Sequence, residues 1–181
     1  MRLLSCQSDY ENIEALIMTI KVGDTLPASS FMWMGPDSEI DVRTSTSDEI
    51  FKGKKVAVFG LPGAYTPVCS ADHLPGFVKV ADALLERGVD AVVCISINDP
   101  FVMDAWAKAQ GVGDNIKMLC DPTAAFTNAV GLNLDLADFG LGVRSERYSM
   151  IVNDGVVSTV NVEESILACD ASSADTLLAQ V

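Results

Sequence analysis

One cysteine of the sequence, Cys69, lies where the start of a helix would activate its thiol. Thr66 is a residue type that caps helices well, and Pro67 follows at the first helical position, where proline is favoured. Cys69 then takes the third helical position, close to free backbone N–H groups and to the positive end of the helix dipole. These surroundings favour the thiolate, which is the nucleophilic form of cysteine. We therefore predict that Cys69 is a reactive thiol.

The alternative for Cys69 is a structural role, as a small buried apolar residue beside an ordinary helix cap. Against this, cysteine is an unusual choice at a position where Glu or Gln would complete a capping box. The Thr66 hydroxyl adds a second functional group, because it can hydrogen-bond either the sulfur or an oxygen atom of a bound substrate. We favour the reactive thiol.

The segments around Cys69 alternate short apolar runs with helical patterns, as in an α/β domain. Buried strands are predicted at residues 55–60, 91–97 and 117–120, a hairpin at 148–152 and 156–162, and helices at 67–87, 98–111, 121–130 and 172–180. Asp154–Gly155 supplies the hairpin turn, Ser172–Asp175 resembles a capping box, and Pro75–Gly76 should kink or break the first helix. This order is typical of a thioredoxin-like three-layer α/β/α sandwich with a mixed central sheet, although the periodicity alone fits other α/β folds.

The length and the charge of the chain limit the classes of function. With 181 residues and 49% hydrophobic content, the sequence fits one domain. Its formal net charge of -13 disfavours nucleic acid and membrane surfaces as partners, and no apolar run is long enough to span a membrane. Acidic residues argue against a signal or transit sequence in residues 1–17, which we interpret as an N-terminal extension, with disorder and an upstream start as alternatives. Residues 18–181 form the predicted domain.

The cysteine content indicates a compartment that keeps thiols reduced, and we expect a cytoplasmic protein. The five cysteines include no CxxC pair and the chain has one histidine, which disfavours a secreted disulfide framework, structural zinc and disulfide isomerase chemistry. The sequence shows no pattern typical of a haem, flavin, selenium or metal site. We therefore expect a protein that works without a cofactor.

Four segments resemble motifs of the peroxiredoxin family. Residues 61–70 (LPGAYTPVCS) resemble the active-site loop, whose core is Pro-x-x-x-Thr-x-x-Cys. Residues 71–77 (ADHLPGF), 96–103 (SINDPFVM) and 147–150 (RYSM) look like the type II, or peroxiredoxin-5-like, branch. The resemblance implies a peroxidase that reduces hydrogen peroxide and organic hydroperoxides through a cysteine sulfenic acid, with a role in antioxidant defence and redox homeostasis.

The resemblance also implies the roles of four residues. Cys69 would be the peroxidatic cysteine, and Thr66 would position the peroxide and the sulfur. Pro62 would shape the pocket and shield the sulfenate. Arg147 matches the family arginine that stabilises the thiolate and polarises the peroxide, with a permanent charge and a planar fork that can hold two oxygen atoms. Without the resemblance, Arg147 would be interpreted as a surface salt-bridge residue.

The remaining thiols and the histidine have open assignments. Cys94 lies in a predicted buried strand, and two roles for it have equal weight: an inert core thiol, or the resolving cysteine that the resemblance to plant-like type II members implies. A disulfide between Cys94 and Cys69 would require the first turn of the Cys69 helix to unwind. Cys169 lies near the position at which animal members of the branch carry a resolving cysteine, although the segment before Cys169 is shorter and lacks the glycines of those members. Cys120 is expected in the core. His73 follows Cys69 by four residues, which allows a Cys–His hydrolase pair, but we expect a structural hydrogen bond.

Two functions from different classes would use the same thiol. The first is a cofactor-free peroxidase that takes electrons from glutaredoxin with glutathione or from thioredoxin. The second is a redox sensor that relays its oxidation to a bound protein. Steady-state turnover with either reductant would favour the enzyme, whereas a single stoichiometric oxidation would favour the sensor. The resemblance further implies a homodimer packed through loops near the active site, which exposed aromatic residues near Pro62 and Gly63 would support.

Overall fold

A mixed seven-stranded sheet forms the centre of the structure, a computed structural model that describes residues 19–37 and 40–181. The prediction for residues 1–17 lies outside the described residues. The strands are β1 (Ser30–Met34), β2 (Val42–Thr46), β3 (Lys55–Gly60), β4 (Ala91–Ser96), β5 (Ile116–Cys120), β6 (Asn133–Leu136), β7 (Gly142–Ser145), β8 (Tyr148–Asn153) and β9 (Val156–Val162). The helices are α1 (Ser47–Phe51), α2 (Leu74–Glu86), α3 (Pro100–Ala109), α4 (Ala125–Ala129) and α5 (Ala174–Ala179), with a π-helical turn at Cys69–His73 and a 3-10 turn at Ala137–Phe139.

The strands follow the order β2-β1-β5-β4-β3-β8-β9 across the sheet, and β6 pairs with β7 separately. The neighbours β3, β4 and β5 are parallel, as expected for strands joined by helices. By contrast, β8 runs antiparallel to β3, and β1 runs antiparallel to β5. The predicted thioredoxin-like α/β sandwich with a mixed central sheet is confirmed.

Both faces of the sheet are buried, because successive side chains of the central strands point to opposite sides. On β3, Ala57 and Phe59 belong to one core, while Val56 and Val58 belong to the other. The first core also contains Cys69, together with apolar side chains of α2, α3 and α5. The candidate nucleophile therefore lies inside the core, at the end of a central strand.

Five elements were not predicted, namely β1, β2, α1, β6 and β7. Their apolar periodicity is weak: β2 consists of half-buried and exposed residues, and β6 and β7 each bury one residue. The strands β1 and β2 form one edge of the sheet, and β1 has a single fully buried side chain, Phe31. The sequence did carry a signal for α1, because Thr46 and Glu49 form a capping box at its start.

The helix that carries Cys69 continues through Pro75–Gly76, so the break that was one of the two predicted outcomes does not occur, and the kink stays a prediction. Its hydrogen-bond ladder widens just before the proline, where Cys69–His73 form a π-helical turn and the Leu74 N–H donates to the Cys69 carbonyl. Pro75 has no N–H group, and in a regular α-helix its ring would crowd the carbonyl of Ala71. The wider turn accommodates the ring, so the helix continues through it.

The ends of three helices show how well local signals place a terminus. Gly88 follows α2 with a positive φ of 86°, which confirms the predicted stop. The predicted capping box at Ser172–Asp175 does not form, because the Ser172 hydroxyl donates to Glu163 and α5 begins one residue later. Ser173 is the cap and accepts a hydrogen bond from the Thr176 N–H. The helix α4 is shorter than predicted, since Asp121 binds its N–H groups from outside the helix.

Gly60, the last residue of β3, lies against the buried ring of Tyr148 on the neighbouring strand. A Cβ atom at residue 60 would overlap that ring, which cannot move without displacing the core. We expect Gly60→Ala to lower the free energy of unfolding by about 1–3 kcal/mol, the usual cost of overpacking. The control Gly113→Ala has open space around it and should change stability by less than about 0.5 kcal/mol. Urea unfolding measures both variants, and equal effects would contradict the close packing at Gly60.

Candidate active site

Cys69 is fully buried and lies at the start of a helix, as predicted. The Ser70 N–H donates to the Thr66 carbonyl at 3.0 Å, so Thr66 caps the helix and Cys69 is the third residue after it. The Thr66 hydroxyl donates to the Gly63 carbonyl at 2.8 Å and makes no hydrogen bond to the sulfur or to any other described residue as an acceptor. Its lone pairs are therefore available to accept a hydrogen bond from a substrate.

The guanidinium of Arg147 lies against the sulfur of Cys69. Arg147 directly precedes β8 and is 1% exposed. Its Nη1 donates to Cys69 Sγ at 3.3 Å, and its Nη2 donates to the Ile166 carbonyl at 2.9 Å. The structure thus brings together two residues that the sequence could pair only through a family resemblance.

The buried charge of Arg147 favours an anion at Cys69. Within residues 19–37 and 40–181, Arg147 forms no salt bridge with a carboxylate. A buried charge is costly unless an opposite charge accompanies it. Among the hydrogen-bond partners of the guanidinium, Cys69 is the one whose side chain can become an anion. The arginine and the helix N-terminus therefore both favour the thiolate.

His73 completes the group around Cys69 as a neutral residue. Because arginine only donates, the contact of 3.3 Å between Arg147 Nη1 and His73 Nδ1 makes Nδ1 an acceptor. Nε2 therefore carries the proton and donates to the Ser172 carbonyl at 3.2 Å. Burial, and then the charge of Arg147, lower the pKa of His73 to about 3. Both ring nitrogens are engaged away from the sulfur, which excludes the Cys–His hydrolase pair and confirms the structural hydrogen bond.

Two residues that sequence reasoning missed hold the loop ahead of Cys69. The side-chain oxygen of Asn98 accepts hydrogen bonds from the Ala64 N–H and the Ser96 hydroxyl, both at 2.9 Å. Arg144 on β7 donates to the Pro62 carbonyl at 3.3 Å. Asn98 belongs to a segment that carried the resemblance, whereas nothing near Arg144 in the sequence indicated its contact. Pro62 is buried in this loop, and its shielding role stays a prediction.

The other described cysteines are free thiols with raised pKa values. Burial raises the pKa of Cys94, and it raises that of Cys120 to about 12; both residues lie in the core that contains Cys69. The predicted core position of Cys120 is confirmed. Cys169 is half-buried on the loop after β9, and burial raises its pKa to about 11. The resolving roles of Cys94 and Cys169 stay predictions.

Metal sites and membrane spans were both disfavoured by the sequence. In the part of the chain that the structure describes, no group of three His, Cys, Asp or Glu side chains could hold a metal ion. None of the helices in those same residues is both long and apolar enough to cross a membrane.

Comparison with known proteins relates the site to a family. A family model described as Redoxin matches residues 21–178. The chain is 45% identical over 163 residues to the chloroplastic Peroxiredoxin-2E of Arabidopsis thaliana, a match that covers 89% of this chain and 69% of the relative. It is 42% identical over 159 residues to Peroxiredoxin-2B of the same plant, covering 88% and 96%. The crystal structure of reduced Prx3 from Vibrio vulnificus in complex with H2O2 matches with a TM-score of 0.83 and 44% identity, covering 90% of this chain and 99% of that one.

Removing the titratable ring of His73 should change how stability depends on pH. The folded protein keeps His73 neutral down to a pKa of about 3, whereas the unfolded chain binds a proton near the ordinary value of 6.5. As the pH falls, the unfolded state therefore gains its proton first and the folded state loses stability. Between about pH 6.5 and 5, the wild type should lose about 1.5 kcal/mol more than His73→Gln, which keeps one donor and one acceptor. Chemical unfolding at the two pH values measures the difference, and equal losses would contradict a neutral buried histidine.

Proposed function

The chain belongs to the peroxiredoxin family, in its type II branch, and we propose that Cys69 is the residue with which this thiol-dependent peroxidase attacks its substrate. As a peroxiredoxin, the protein reduces hydroperoxides and serves antioxidant defence. The observation that carries the assignment of Cys69 is the hydrogen bond of 3.3 Å from Arg147 Nη1 to its sulfur in a buried site. Thr66, Pro62 and Arg147 are the other proposed catalytic residues.

In the proposed first step, the Cys69 thiolate attacks the terminal oxygen of a hydroperoxide. An S–O bond forms while the O–O bond breaks, so the sulfur loses two electrons and the peroxide gains them. The leaving hydroxide or alkoxide takes up a proton and departs as water or an alcohol. Cys69 is left as a sulfenic acid.

Arg147 and Thr66 are proposed to align the reacting atoms. Arg147 Nε is buried and has no hydrogen-bond partner among the described residues, so a donor is left for a peroxide oxygen on which charge develops. The Thr66 hydroxyl donates a hydrogen bond to the Gly63 carbonyl, and its lone pairs can accept a hydrogen bond from the O–H of the peroxide. Pro62 lies buried in the same loop and is proposed to shield the sulfenic acid from water.

We infer that an external thiol, rather than Cys94 or Cys169, reduces the sulfenic acid. The attacking species in such reactions is a thiolate. A pKa of about 11 for Cys169 leaves only about one molecule in 10⁴ ionised at neutral pH, and burial disfavours the thiolate of Cys94. An external thiol would condense with the sulfenic acid and release water. A second thiol would then displace Cys69 and leave as a disulfide with the first.

Glutaredoxin with glutathione, or thioredoxin, is the proposed electron donor, and the cytoplasm is the proposed compartment. The described cysteines are all free thiols, which is typical of a compartment that keeps thiols reduced. Cell fractionation tests the compartment, and an organellar location would contradict it. The division into an extension at residues 1–17 and one domain at 18–181 is likewise a proposal, supported by the family match at residues 21–178.

A homodimer is proposed from large apolar side chains that are exposed on three separate segments, two of them adjoining the site. Tyr65, in the loop before Cys69, is 59% exposed, and Phe139, before β7, is 74% exposed. Leu167, on the loop whose Ile166 carbonyl binds Arg147, is 76% exposed. Exposed aromatic residues of this kind are enriched in protein interfaces. Sedimentation that shows only monomers would contradict the dimer.

Replacing Cys69 by serine should abolish peroxide reduction, because a serine hydroxyl is not ionised at neutral pH and forms no sulfenic acid. Peroxide consumption with glutaredoxin and glutathione, and separately with thioredoxin, should fall to the uncatalysed rate. The matched control is Cys169→Ser, which changes another thiol in the same way and should retain turnover. Near-normal turnover of Cys69→Ser would overturn the assignment.

The oxidised form of the protein should show which thiol reacts with the sulfenic acid. After treatment with peroxide and then glutathione, we expect mass spectrometry to find a glutathione adduct on Cys69 and no disulfide from Cys69 to Cys94 or Cys169. Peptides linked through Cys69 and Cys94 would instead assign the resolving role to Cys94, and a link to Cys169 would assign it there. Either link would contradict reduction by an external thiol.

A further inference from the structure

A buried carboxylate, Glu163, closes the loop that follows β9. It is 7% exposed, and its Oε1 accepts three hydrogen bonds, from the N–H of Asp170 at 2.8 Å and from the N–H and hydroxyl of Ser172 at 2.8 and 2.9 Å. The Glu163 N–H also donates to the Arg147 carbonyl at 2.9 Å. One side chain therefore ties both ends of residues 163–172 together, next to the backbone of the active-site arginine.

The carbonyl groups of this loop hold the two side chains that flank Cys69. The Ile166 carbonyl accepts the hydrogen bond of 2.9 Å from Arg147 Nη2. The Ser172 carbonyl accepts the hydrogen bond of 3.2 Å from His73 Nε2. The loop has no regular secondary structure, so its shape depends on the hydrogen bonds that close it.

We propose that Glu163 is a positioning residue for peroxide reduction, whose carboxylate fixes the loop at residues 163–172 so that its carbonyls orient Arg147 and His73 toward Cys69. This proposal rests on the proposed function of Cys69. Glu163 touches neither substrate nor sulfur, and it acts through the loop alone. Nothing in the sequence indicated the role, since a glutamate after a strand is ordinarily a solvent-exposed residue.

A carboxylate suits this task better than a neutral acceptor. Hydrogen bonds to an ionised oxygen are shorter and stronger than those to a neutral one, and one oxygen here receives three of them. Burial raises the pKa of Glu163, but the hydrogen bonds from Ser172 and Asp170 outweigh it and leave the pKa below its usual value. The side chain is therefore charged at neutral pH, and its hydrogen bonds are charge-assisted.

Neutralising Glu163 should shift the pH at which the Cys69 thiolate forms, and the direction of this shift separates a positioning role from a direct effect of the charge. Glu163 is negative, so if it acted on Cys69 only through space, its neutralisation would make the thiolate easier to form. If it acts by orienting Arg147, its neutralisation loosens the arginine and makes the thiolate harder to form. A contribution to general stability would move neither the thiolate nor its pH profile.

The test compares Glu163→Gln, which keeps the size of the side chain, with Glu164→Gln, which makes the same charge change at an exposed neighbour. Stopped-flow measurement gives the rate constant for Cys69 oxidation by hydrogen peroxide, and the pH dependence of its alkylation gives the pH of half-maximal reaction. For Glu163→Gln we expect oxidation to slow by about tenfold or more, as for a misplaced catalytic group, and the half-maximal pH to rise. Glu164→Gln should match the wild type.

The same change in an Arg147→Met background shows whether Glu163 acts through the arginine. We expect no further slowing there, because the group that Glu163 orients is already absent. An unchanged rate, a fall in the half-maximal pH, or an equal slowing in the Arg147→Met background would each overturn the proposal. If Glu163→Gln does not fold, Ser172→Ala removes one of the three hydrogen bonds and is judged by the same readouts. Failure of the proposed function would show separately, as turnover retained by Cys69→Ser.

Discussion

The site depends on one interaction, the contact of the buried Arg147 guanidinium with the thiol of Cys69. Arg147 is 1% exposed, and the hydrogen-bond partners of its guanidinium among the described residues are a sulfur, an imidazole and a backbone carbonyl. A charge in such surroundings is costly unless an opposite charge forms beside it. Cys69 is the partner that can supply that charge, so the group proposed as the nucleophile is also the one that lies against the arginine in the fold.

The topology of the sheet brings this contact about. Because β8 runs antiparallel to β3, with Tyr148 opposite Gly60, the residue before β8 and the loop after β3 lie at the same end of these two strands. Arg147 reaches this end from β8, and Cys69 reaches it from β3 through the loop and the helix that follows. The loop after β9 adds the Ile166 carbonyl that binds the arginine, and Glu163 closes this loop.

Features encoded within a few residues could be predicted, and those that depend on distant parts of the chain could not. Thr66–Pro67 marked the helix start and Asp154–Gly155 the hairpin, because capping and turn preferences are local. Arg147 lies 78 residues from Cys69 and meets it only through strand pairing, so a resemblance was needed to connect them. Pro75 does not break its helix, because a π-helical turn just before it accommodates the ring, and that turn was not visible in the sequence. Burial of Glu163 is a tertiary property that its neighbours in the sequence do not show.

The protonation state of the sulfur tests the central claim most directly. The ultraviolet absorbance of thiolate can be recorded against pH for the wild type, with Cys69→Ser as the blank and Arg147→Gln as the variant that lacks the charge. We predict the absorbance of one thiolate in the wild type at neutral pH, and a smaller absorbance in Arg147→Gln. A wild-type protein whose Cys69 thiolate forms only in alkaline solution, or forms equally without the arginine, would contradict the account.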